Sequence, residues 1–483
     1  MIRLAAALLL LAAALRLPRL AERPMHADES ILADKFGELL AGHGYPYDPH
    51  EFHGPVLAYC ALLPAWLTGR TSYAQLTETT LRLVPAVAGI LLALTPLLLA
   101  PAIGRGAAVA AAALVAVAPP MVYYSRFYIP ETLLALWTAA MLAALWAAME
   151  RSRPLYWAAA GAAAGLMLAT KETAVLAIAA SAAGLLAAFG VRAGRGHGWR
   201  PAAAFAAALL GVVWLLLAPP WRWAALVPAV TAYVARGVNG GGHAHAWTYY
   251  LGLVWWALPP AAIGVAAAVR SQRPFARFIA FYSVAVAALY CAVPYKTPWC
   301  VLSMLYGFAL LAGMAAEALA RRWRAPVAVL CLAGIAWLGR QAWTASTERA
   351  ADPRNPLAYA QTGAGVFTIR DRVREIVRTA PDGARTAIAV YSRQNLWPLP
   401  WYFREYPGVL WWRDVAIPGR AAPIVLVSPE MEAGVARKIY EGPLPGQREL
   451  YMSMFANYVE LRPQVEVRGY VAKSLWDRWR QAQ

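Results

Sequence analysis

The stretch TLRLVPAVAGILLALTPLLLAPA, residues 80–102, contains one charged side chain, that of Arg82. A helix needs about 20 mostly apolar residues to cross the hydrocarbon core of a bilayer, so this stretch predicts a membrane-spanning helix. Comparable apolar stretches lie at residues 3–20, 107–124, 132–149, 155–170, 174–191, 201–218, 247–269, 278–295, 299–319 and 325–343. We therefore expect an α-helical polytopic membrane protein with about eleven transmembrane helices.

The composition of the whole chain supports this fold class. Of 483 residues, 60% are hydrophobic and only 14% are charged, whereas soluble proteins carry about 25% charged residues. Low charge, 21 Trp and 23 Tyr also exclude a disordered chain. The four cysteines lie in apolar stretches without CxxC spacing, which argues against a disulfide framework or a zinc ribbon. Cys291 and Cys300 flank one short loop and either pair or remain buried thiols.

The acidic residues divide the chain into two domains. Only 12 of the 26 precede residue 344, and no Asp occurs between Asp48 and Asp352. Beyond that point polar residues return, and short strands are predicted at 386–392, 423–428 and 465–471. We expect a transmembrane domain over residues 1–343, with a large first outer loop at 21–79, and a soluble α/β domain over residues 344–483.

Arginine distribution predicts the orientation in the membrane. The apolar segment 55–69 is short and interrupted by Pro64, so it is read as a helix on the outer surface. Five loops then share one face and hold 12 Arg and no acid, at 104–106, 151–154, 192–200, 270–277 and 321–324. The positive-inside rule places these loops in the cytoplasm and the C-terminal domain on the periplasmic side of the inner membrane. Membrane anchoring thus explains the net charge of +18 better than a nucleic-acid partner does.

The first span has an alternative interpretation. Residues 1–15 could form a signal peptide, with Arg3 in its basic region and an apolar centre after it. The apolar stretch continues to Leu20, however, past Arg16 and Arg19, whose side chains would snorkel to the interface. A transmembrane helix is therefore favoured.

Ionisable residues collect on the predicted outer face. They are Asp28 and Glu29 after the first span, Arg126 and Glu131 in the second turn, Lys171 and Glu172 in the third, Lys296 in the fifth, and six of the seven His. Each has a structural alternative: Asp28 and Glu29 as capping carboxylates, Glu131 as an N-terminal helix charge, Lys171 and Glu172 as a local ion pair. Ionisable groups near a membrane are costly, and their convergence on one face predicts an active or binding site.

The same segments carry a resemblance. HADES (26–30), HGPVLAY (53–59), SRFYIPETLL (125–134), TKETA (170–174), GGHAHAWTYYLGLVWW (241–256) and YKTPW (295–299) occur in this order. With the trailing soluble domain, this set resembles membrane glycosyltransferases of the GT-C class, in the protein O-mannosyltransferase and aminoarabinose-transferase group. It resembles still more closely bacterial and archaeal proteins labelled as flippase-associated. In the soluble domain the resemblance is looser and rests on PLPWYFREYP (398–407).

This resemblance implies transfer of a sugar from a polyprenyl-phosphate carrier to an acceptor on the outer side of the membrane. By the family pattern Asp28 is the catalytic base, with Glu29 beside it. The second-loop acid is usually Asp in the family and is Glu131 here. A basic residue before the proline of the outer helix contacts phosphate in such transferases, and His53 holds that approximate place, with Gly54 intervening.

The residues themselves agree with such chemistry. Sugar transfer with inversion requires a carboxylate that takes the acceptor's hydroxyl proton and a cation that stabilises the departing phosphate. Lys171, Lys296 and Arg126 are candidate phosphate ligands. A divalent metal is an alternative, since His53, His243, His245 and Glu51 are ligand types suited to zinc or manganese.

Two other functions compete with glycosyl transfer. A lipid-linked glycan flippase would be expected to show inverted repeats with broken helices near the midplane, and we find no internal repeat in the sequence. A noncatalytic flippase-associated membrane protein with a partner-binding domain is the third alternative. The expected partners are the lipid bilayer, a polyprenyl-phosphate sugar and a glycolipid, glycan or protein acceptor, with no soluble nucleotide cofactor because no GxGxxG or P-loop occurs.

Overall fold

A computed structural model describes residues 1–45, 47–48, 53–151, 153–190, 199–217, 227–240, 242–258, 261–416, 420–444 and 446–483. The chain forms two compact units. The first, called the membrane unit, comprises Met1–Ala21, Glu38–Thr71 and Leu76–Ala350. The second, called the sheet unit, comprises Glu22–Gly37, Ser72–Gln75 and Ala351–Gln483. Part of the loop grouped with the membrane domain in the sequence thus packs with the C-terminal residues.

Helices dominate the chain up to Ser346. They are α1 (Ile2–Arg16), α2 (Ala27–Leu40), α3 (Val56–Leu67), α4 (Glu78–Leu94), α5 (Ala100–Ile103), α6 (Arg105–Val117), α7 (Pro119–Tyr124), α8 (Glu131–Arg151), α9 (Pro154–Thr170), α10 (Ala174–Phe189), α11 (Arg200–Leu216), α12 (Val227–Asn239), α13 (Tyr249–Ala257), α14 (Ala261–Val269), α15 (Pro274–Ala292), α16 (Leu302–Ala320) and α17 (Arg324–Ser346).

The chain is a multi-pass membrane protein. Five of the described helical segments are long and apolar enough to cross a bilayer: 78–103, 131–151, 274–292, 298–320 and 324–346. Shorter apolar helices occupy other predicted spans, among them α6, α9, α10 and α11. The predicted span at 247–269 corresponds to two helices, α13 and α14, which together are long and apolar enough to cross a bilayer but are bent by 97°.

Buried arginines join the ends of the first helices in the membrane unit. Arg16 at the end of α1 is fully buried and donates to the carbonyls of Val115 and Ala116 at the end of α6, at 3.0 and 2.8 Å. The snorkelling predicted for Arg16 is therefore wrong. Helix C-termini leave unpaired carbonyls that attract a cation, which explains why this guanidinium turns inward.

The sheet unit contains a five-stranded mixed sheet in the order β2-β1-β3-β7-β4 and a small hairpin of β5 and β6. The strands are β1 (Ile388–Tyr391), β2 (Val409–Trp412), β3 (Ile424–Val427), β4 (Tyr451–Ser453), β5 (Glu460–Arg462), β6 (Val465–Glu466) and β7 (Arg468–Ala472). The helices are α18 (Gly365–Thr379), α19 (Leu399–Tyr402), α20 (Glu432–Tyr440) and α21 (Lys473–Gln481). Strand β1 runs parallel to β2 and β3, whereas β7 is antiparallel to β3 and β4.

Two of the three predicted strands are confirmed as β1 and β3. The third, at 465–471, is divided, because its first residues pair with β5 and its last pair with β3 and β4. The fully apolar strands β1 and β3 are buried at every position, as expected for central strands. The polar residues beyond 343 therefore surround a mixed α/β core.

Cys291 and Cys300 are free thiols, so the pairing left open by the sequence does not form. Both side chains are buried. Buried unpaired cysteines behave as small hydrophobic side chains, and these two fill space beside α15 and the start of α16.

Candidate functional site

The first turn of α2 carries Asp28 and Glu29, two of the three predicted catalytic carboxylates, the third being Glu131. His26 precedes the helix, and its backbone N–H donates to the carboxylate of Glu29 at 2.8 Å. Its ring Nδ1 accepts from the backbone N–H of Asp28 at 3.1 Å, and Nε2 donates to the carbonyl of Tyr359 at 3.0 Å. A glutamate three residues after the cap that reaches back to the cap N–H is the capping box of helix starts. The imidazole of His26 therefore fixes the orientation of this turn.

Glu29 has a structural role in this arrangement. Its side chain is fully buried and pairs with Arg23 at 2.8 Å, in addition to accepting from His26. The two hydrogen bonds, from Arg23 and from the backbone of His26, hold the Glu29 carboxylate against the start of α2. These contacts favour the capping alternative for Glu29. The neighbouring Asp28 has a different environment.

Asp28 is that different residue. Its side chain is 49% exposed, and the ring Nδ1 of His26 lies 3.9 Å from its carboxylate. Burial lowers the pKa of Arg462 in the sheet unit, and the negative charge of Asp28 opposes this shift. Burial, followed by the charge of Asp28, raises the pKa of Tyr359. Asp28 thus presents a carboxylate to solvent beside an arginine and a tyrosine.

Residues 360–362 next to this turn were missed by sequence reasoning. Ala360 adopts a left-handed backbone conformation with φ 47°, which costs a non-glycine residue about 1 kcal/mol. The amide of Gln361 and the hydroxyl of Thr362 are buried and find no hydrogen-bond partner among the described residues. Unpaired buried polar groups also cost free energy, so this segment has hydrogen-bonding capacity that a ligand or water would satisfy. The sequence of this segment, AQT, contains no motif that would have predicted this hydrogen-bonding capacity.

In the membrane unit, Glu131 and Lys171 form a buried ion pair. Glu131 begins α8, Lys171 follows α9, and the ammonium contacts Oε1 of the carboxylate. The side chains are only 4% and 6% exposed, and Oε2 of Glu131 is buried with no hydrogen-bond partner among the described residues. The pair is therefore not the local Lys171–Glu172 pair left open by the sequence. It joins two turns that are 40 residues apart.

Glu172 instead binds His53. The two side chains are 2.9 Å apart, and the hydroxyl of Tyr47 donates to the other carboxylate oxygen at 2.9 Å. Gly54 makes this approach feasible, because a Cβ there would collide with the carbonyl of Ala169 at the end of α9. Tyr47 was not among the predicted site residues, and Glu172 was grouped with the ionisable residues of the outer face without an assigned role. Their pairing joins parts of the chain that are more than 100 residues apart, and no local motif predicts such a contact.

The other two predicted phosphate ligands also make intramolecular contacts. Arg126 is buried and donates to the carbonyls of Arg16 at 2.9 Å and Arg19 at 3.3 Å, where it caps the end of α1. Lys296 is 1% exposed and donates to the carbonyl of Val293. The backbone N–H of Lys296 donates to the backbone carbonyl of His243 at 2.9 Å. This bond holds the Lys296 turn against the segment that carries His243 and His245, called the histidine loop.

The histidine loop does not assemble a metal site with the described residues. Within that part of the chain, no three His, Cys, Asp or Glu side chains come together in a way that could hold an ion. The rings of His243 and His245 pack on Tyr295 and Tyr249, with centroids 4.9 and 4.4 Å apart. Glu51, the fourth candidate ligand, lies outside the described residues.

Comparisons with known proteins agree with this fold. Residues 53–223 match the family described as dolichyl-phosphate-mannose-protein mannosyltransferase. Among solved structures, ArnT from Cupriavidus metallidurans bound to undecaprenyl phosphate superposes with a TM-score of 0.65 at 16% identity over 98% of both chains. An oligosaccharyltransferase from Archaeoglobus fulgidus in complex with Zn and sulfate gives a TM-score of 0.55 at 14% identity, over 89% of this chain and 68% of that one. No curated protein matches the chain significantly by sequence.

The chain has the GT-C type of fold seen in ArnT from Cupriavidus metallidurans, and residues 53–223 match the mannosyltransferase family model named above. The resemblance predicted from the ordered motifs is thereby confirmed, as is the helical membrane fold with a C-terminal mixed-sheet region.

Substitution of Glu29 should reveal its structural role. We expect Glu29→Gln to lower the stability of the protein by about 3 kcal/mol, because Arg23 loses its buried partner. Thermal unfolding of the purified protein in detergent measures this. Asp28→Asn is the matched control and should unfold like the wild type, since its side chain is half exposed. Equal stability of both variants would contradict the assignment of Glu29 as a cap.

Proposed function

We propose that the protein transfers a sugar from a polyprenyl-phosphate carrier to the hydroxyl of a glycolipid, glycan or protein acceptor on the outer face of the membrane. The observation that carries the proposal is the contrast within one helical turn. Glu29 is buried and accepts hydrogen bonds from Arg23 and His26, while the carboxylate of the adjacent Asp28 is half exposed and its backbone N–H donates to the ring of His26. An accessible carboxylate on an anchored helical turn is suited to act as a general base.

The reaction proceeds with inversion in this proposal. The Asp28 carboxylate takes the proton of the acceptor hydroxyl, whose oxygen forms a bond to the anomeric carbon of the sugar. The bond between that carbon and the phosphate oxygen breaks, and polyprenyl phosphate leaves with the electron pair. The unpaired amide of Gln361 and hydroxyl of Thr362 offer hydrogen bonds to the acceptor near the base.

The membrane unit supplies cations for the phosphate in this proposal. Lys171 is the first candidate, because Glu131 fixes its ammonium in a water-poor place where electrostatic attraction is strong. Lys296 and His53 are further candidates, held by Val293 and Glu172. Arg126 contributes by fixing α1 rather than by contacting phosphate. The structure of ArnT from Cupriavidus metallidurans bound to undecaprenyl phosphate supports this class of donor.

The orientation proposed from the sequence puts the Arg-rich loops in the cytoplasm and the C-terminal residues outside. A single cysteine at Arg105, in a background lacking the four native cysteines, should react with an impermeant maleimide only after the membrane is opened. A cysteine at exposed Arg393 should react in intact cells. The reverse labelling pattern would contradict the orientation, because positive-inside bias is the argument for it.

The base assignment predicts a large loss of rate without a loss of donor binding. Asp28→Asn should lower transfer by about 10²–10⁴-fold, because an amide cannot accept the hydroxyl proton at neutral pH. Consumption of a labelled polyprenyl-phosphate sugar in detergent, with cell envelopes as the acceptor source, measures this. Asp34→Asn on the same helix is the matched control. Near wild-type turnover by Asp28→Asn would refute the base assignment, and donor consumption only in sealed vesicles would favour a flippase.

The phosphate assignment can be separated from folding by a paired substitution. Lys171→Met should weaken binding of undecaprenyl phosphate, but it also leaves Glu131 buried and unpaired, at a cost of about 3–5 kcal/mol in stability. The double variant Lys171→Met/Glu131→Gln removes both charges and should regain stability while donor binding stays weak. Lys35→Met serves as a control for loss of one lysine. Wild-type donor binding by the stable double variant would move the phosphate contact to Lys296 or His53.

A further inference from the structure

A cavity of about 170 Å³ lies in the membrane unit between α5, α14, α15 and α16. Its polar side is formed by Ser271, Arg273, Glu317 and Arg321. Its other wall is apolar and includes Ile103, Ala268 and Met314. The lining of the cavity thus combines charged and apolar side chains, within helices of a membrane protein. None of these residues belongs to the candidate catalytic site.

The charge balance of the cavity favours an anion. Glu317 is already engaged, since Oε2 accepts from the backbone N–H of Ala107 at 2.6 Å and Oε1 lies 3.5 Å from Arg321. The backbone N–H groups at the start of α6 carry partial positive charge, which compensates this carboxylate. Arg273 adds a second arginine to the lining of the cavity, so its charge exceeds that of the engaged carboxylate, and the side chain of Arg321 is 68% exposed.

The backbone around the cavity is adapted to this carboxylate. Gly104 has φ 104°, and a Cβ at this position would collide with the carboxylate of Glu317. Only glycine takes up such a conformation readily, so Gly104 lets Glu317 reach the first N–H groups of α6. On the opposite side, Ser271 Oγ accepts from the backbone N–H of Arg273 at 3.1 Å, which leaves the hydroxyl proton available to donate. Two arginines and a hydroxyl donor therefore border the space.

We propose that this cavity binds the headgroup of an anionic phospholipid, with the phosphodiester on Arg273, Arg321 and Ser271 and an acyl chain along the apolar wall. Arginine pairs well with phosphate oxygens because its N–H groups match their geometry. Basic pockets between membrane helices recognise lipid phosphates on the same principle. The apolar wall selects an amphiphile over a free phosphate ion. This site is independent of the proposed glycosyl transfer.

Lipid retention tests the site directly. The purified protein is reconstituted in bilayers of phosphatidylglycerol and phosphatidylcholine in equal amounts, extracted in mild detergent, and its bound lipids are counted by native mass spectrometry. The wild type should keep one phosphatidylglycerol in preference to phosphatidylcholine. Arg273→Gln/Arg321→Gln should weaken its retention by about fivefold for each arginine removed.

The controls separate folding, charge and the source of the phosphate. Arg322→Gln removes a neighbouring arginine that stacks over Trp323, and it should retain phosphatidylglycerol as the wild type does. Arg273→Gln alone keeps the Glu317–Arg321 pair and should show an intermediate loss with unchanged thermal unfolding. Equal retention by the wild type and the double variant would overturn the proposal, as would equal retention of the two lipids. Stabilisation of the lipid-free protein by inorganic phosphate without retention of phosphatidylglycerol would assign the cavity to a free anion instead.

Discussion

The membrane unit depends on two buried arginines that satisfy helix carbonyls where water is excluded. Arg16 donates to the end of α6, and Arg126 donates to the end of α1. An unpaired charge in such a place is costly, whereas a guanidinium with several carbonyl partners is tolerated. Each arginine thus supplies the donors that a neighbouring helix end lacks. Because Arg16 joins the end of α1 to the end of α6 and Arg126 joins the turn after α7 to the end of α1, these three parts are fixed as one set.

The positions of Glu131 and Lys171 in the membrane unit depend on these arginine contacts. Arg126 belongs to the turn that precedes α8, so its carbonyl contacts also position Glu131 at the start of that helix. Glu131 in turn holds Lys171. Gly89 on α4 leaves room for the assembly, since a Cβ there would lie 2.8 Å from Nε of Arg16 and 2.6 Å from Cβ of Ser125. A methyl group at residue 89 would therefore disturb a lysine that it never touches.

The sequence predicted class and fold better than it predicted individual contacts. Apolar stretches and ordered motifs were sufficient for a helical GT-C membrane protein, because hydrophobic length is a local property. The division of predicted strand 465–471 depends on which partner strands it meets, and pairing partners are not local. Likewise the apolar length of 247–269 predicted a span, whereas the 97° bend between α13 and α14 cannot be read from hydrophobic length.

The same distinction holds for the site residues. The ATKET turn made an ion pair between neighbours plausible, but Lys171 pairs with Glu131 and Glu172 pairs with His53. These choices follow from how α8, α9 and the segment before α3 meet. Arg126 was grouped with phosphate ligands because its charge and predicted position fit, whereas its contacts are with backbone carbonyls. Residue type and position along a span identify candidates, and only packing decides between a ligand and a cap.

The composition of the sheet unit has a consequence for how such chains can be recombined. Helix α2 enters this unit from the distant N-terminal part of the sequence: the N–H of Met25 donates to Tyr402 at 2.9 Å, and His26 donates to Tyr359. Tyr73 adds a ring contact with Trp401, with centroids 5.9 Å apart. A gene fragment that starts at residue 351 would leave these partners behind and expose the surfaces that they cover. Exchange of C-terminal regions between proteins of this fold must therefore include residues 22–37 and 72–75, which carry Asp28, the candidate base.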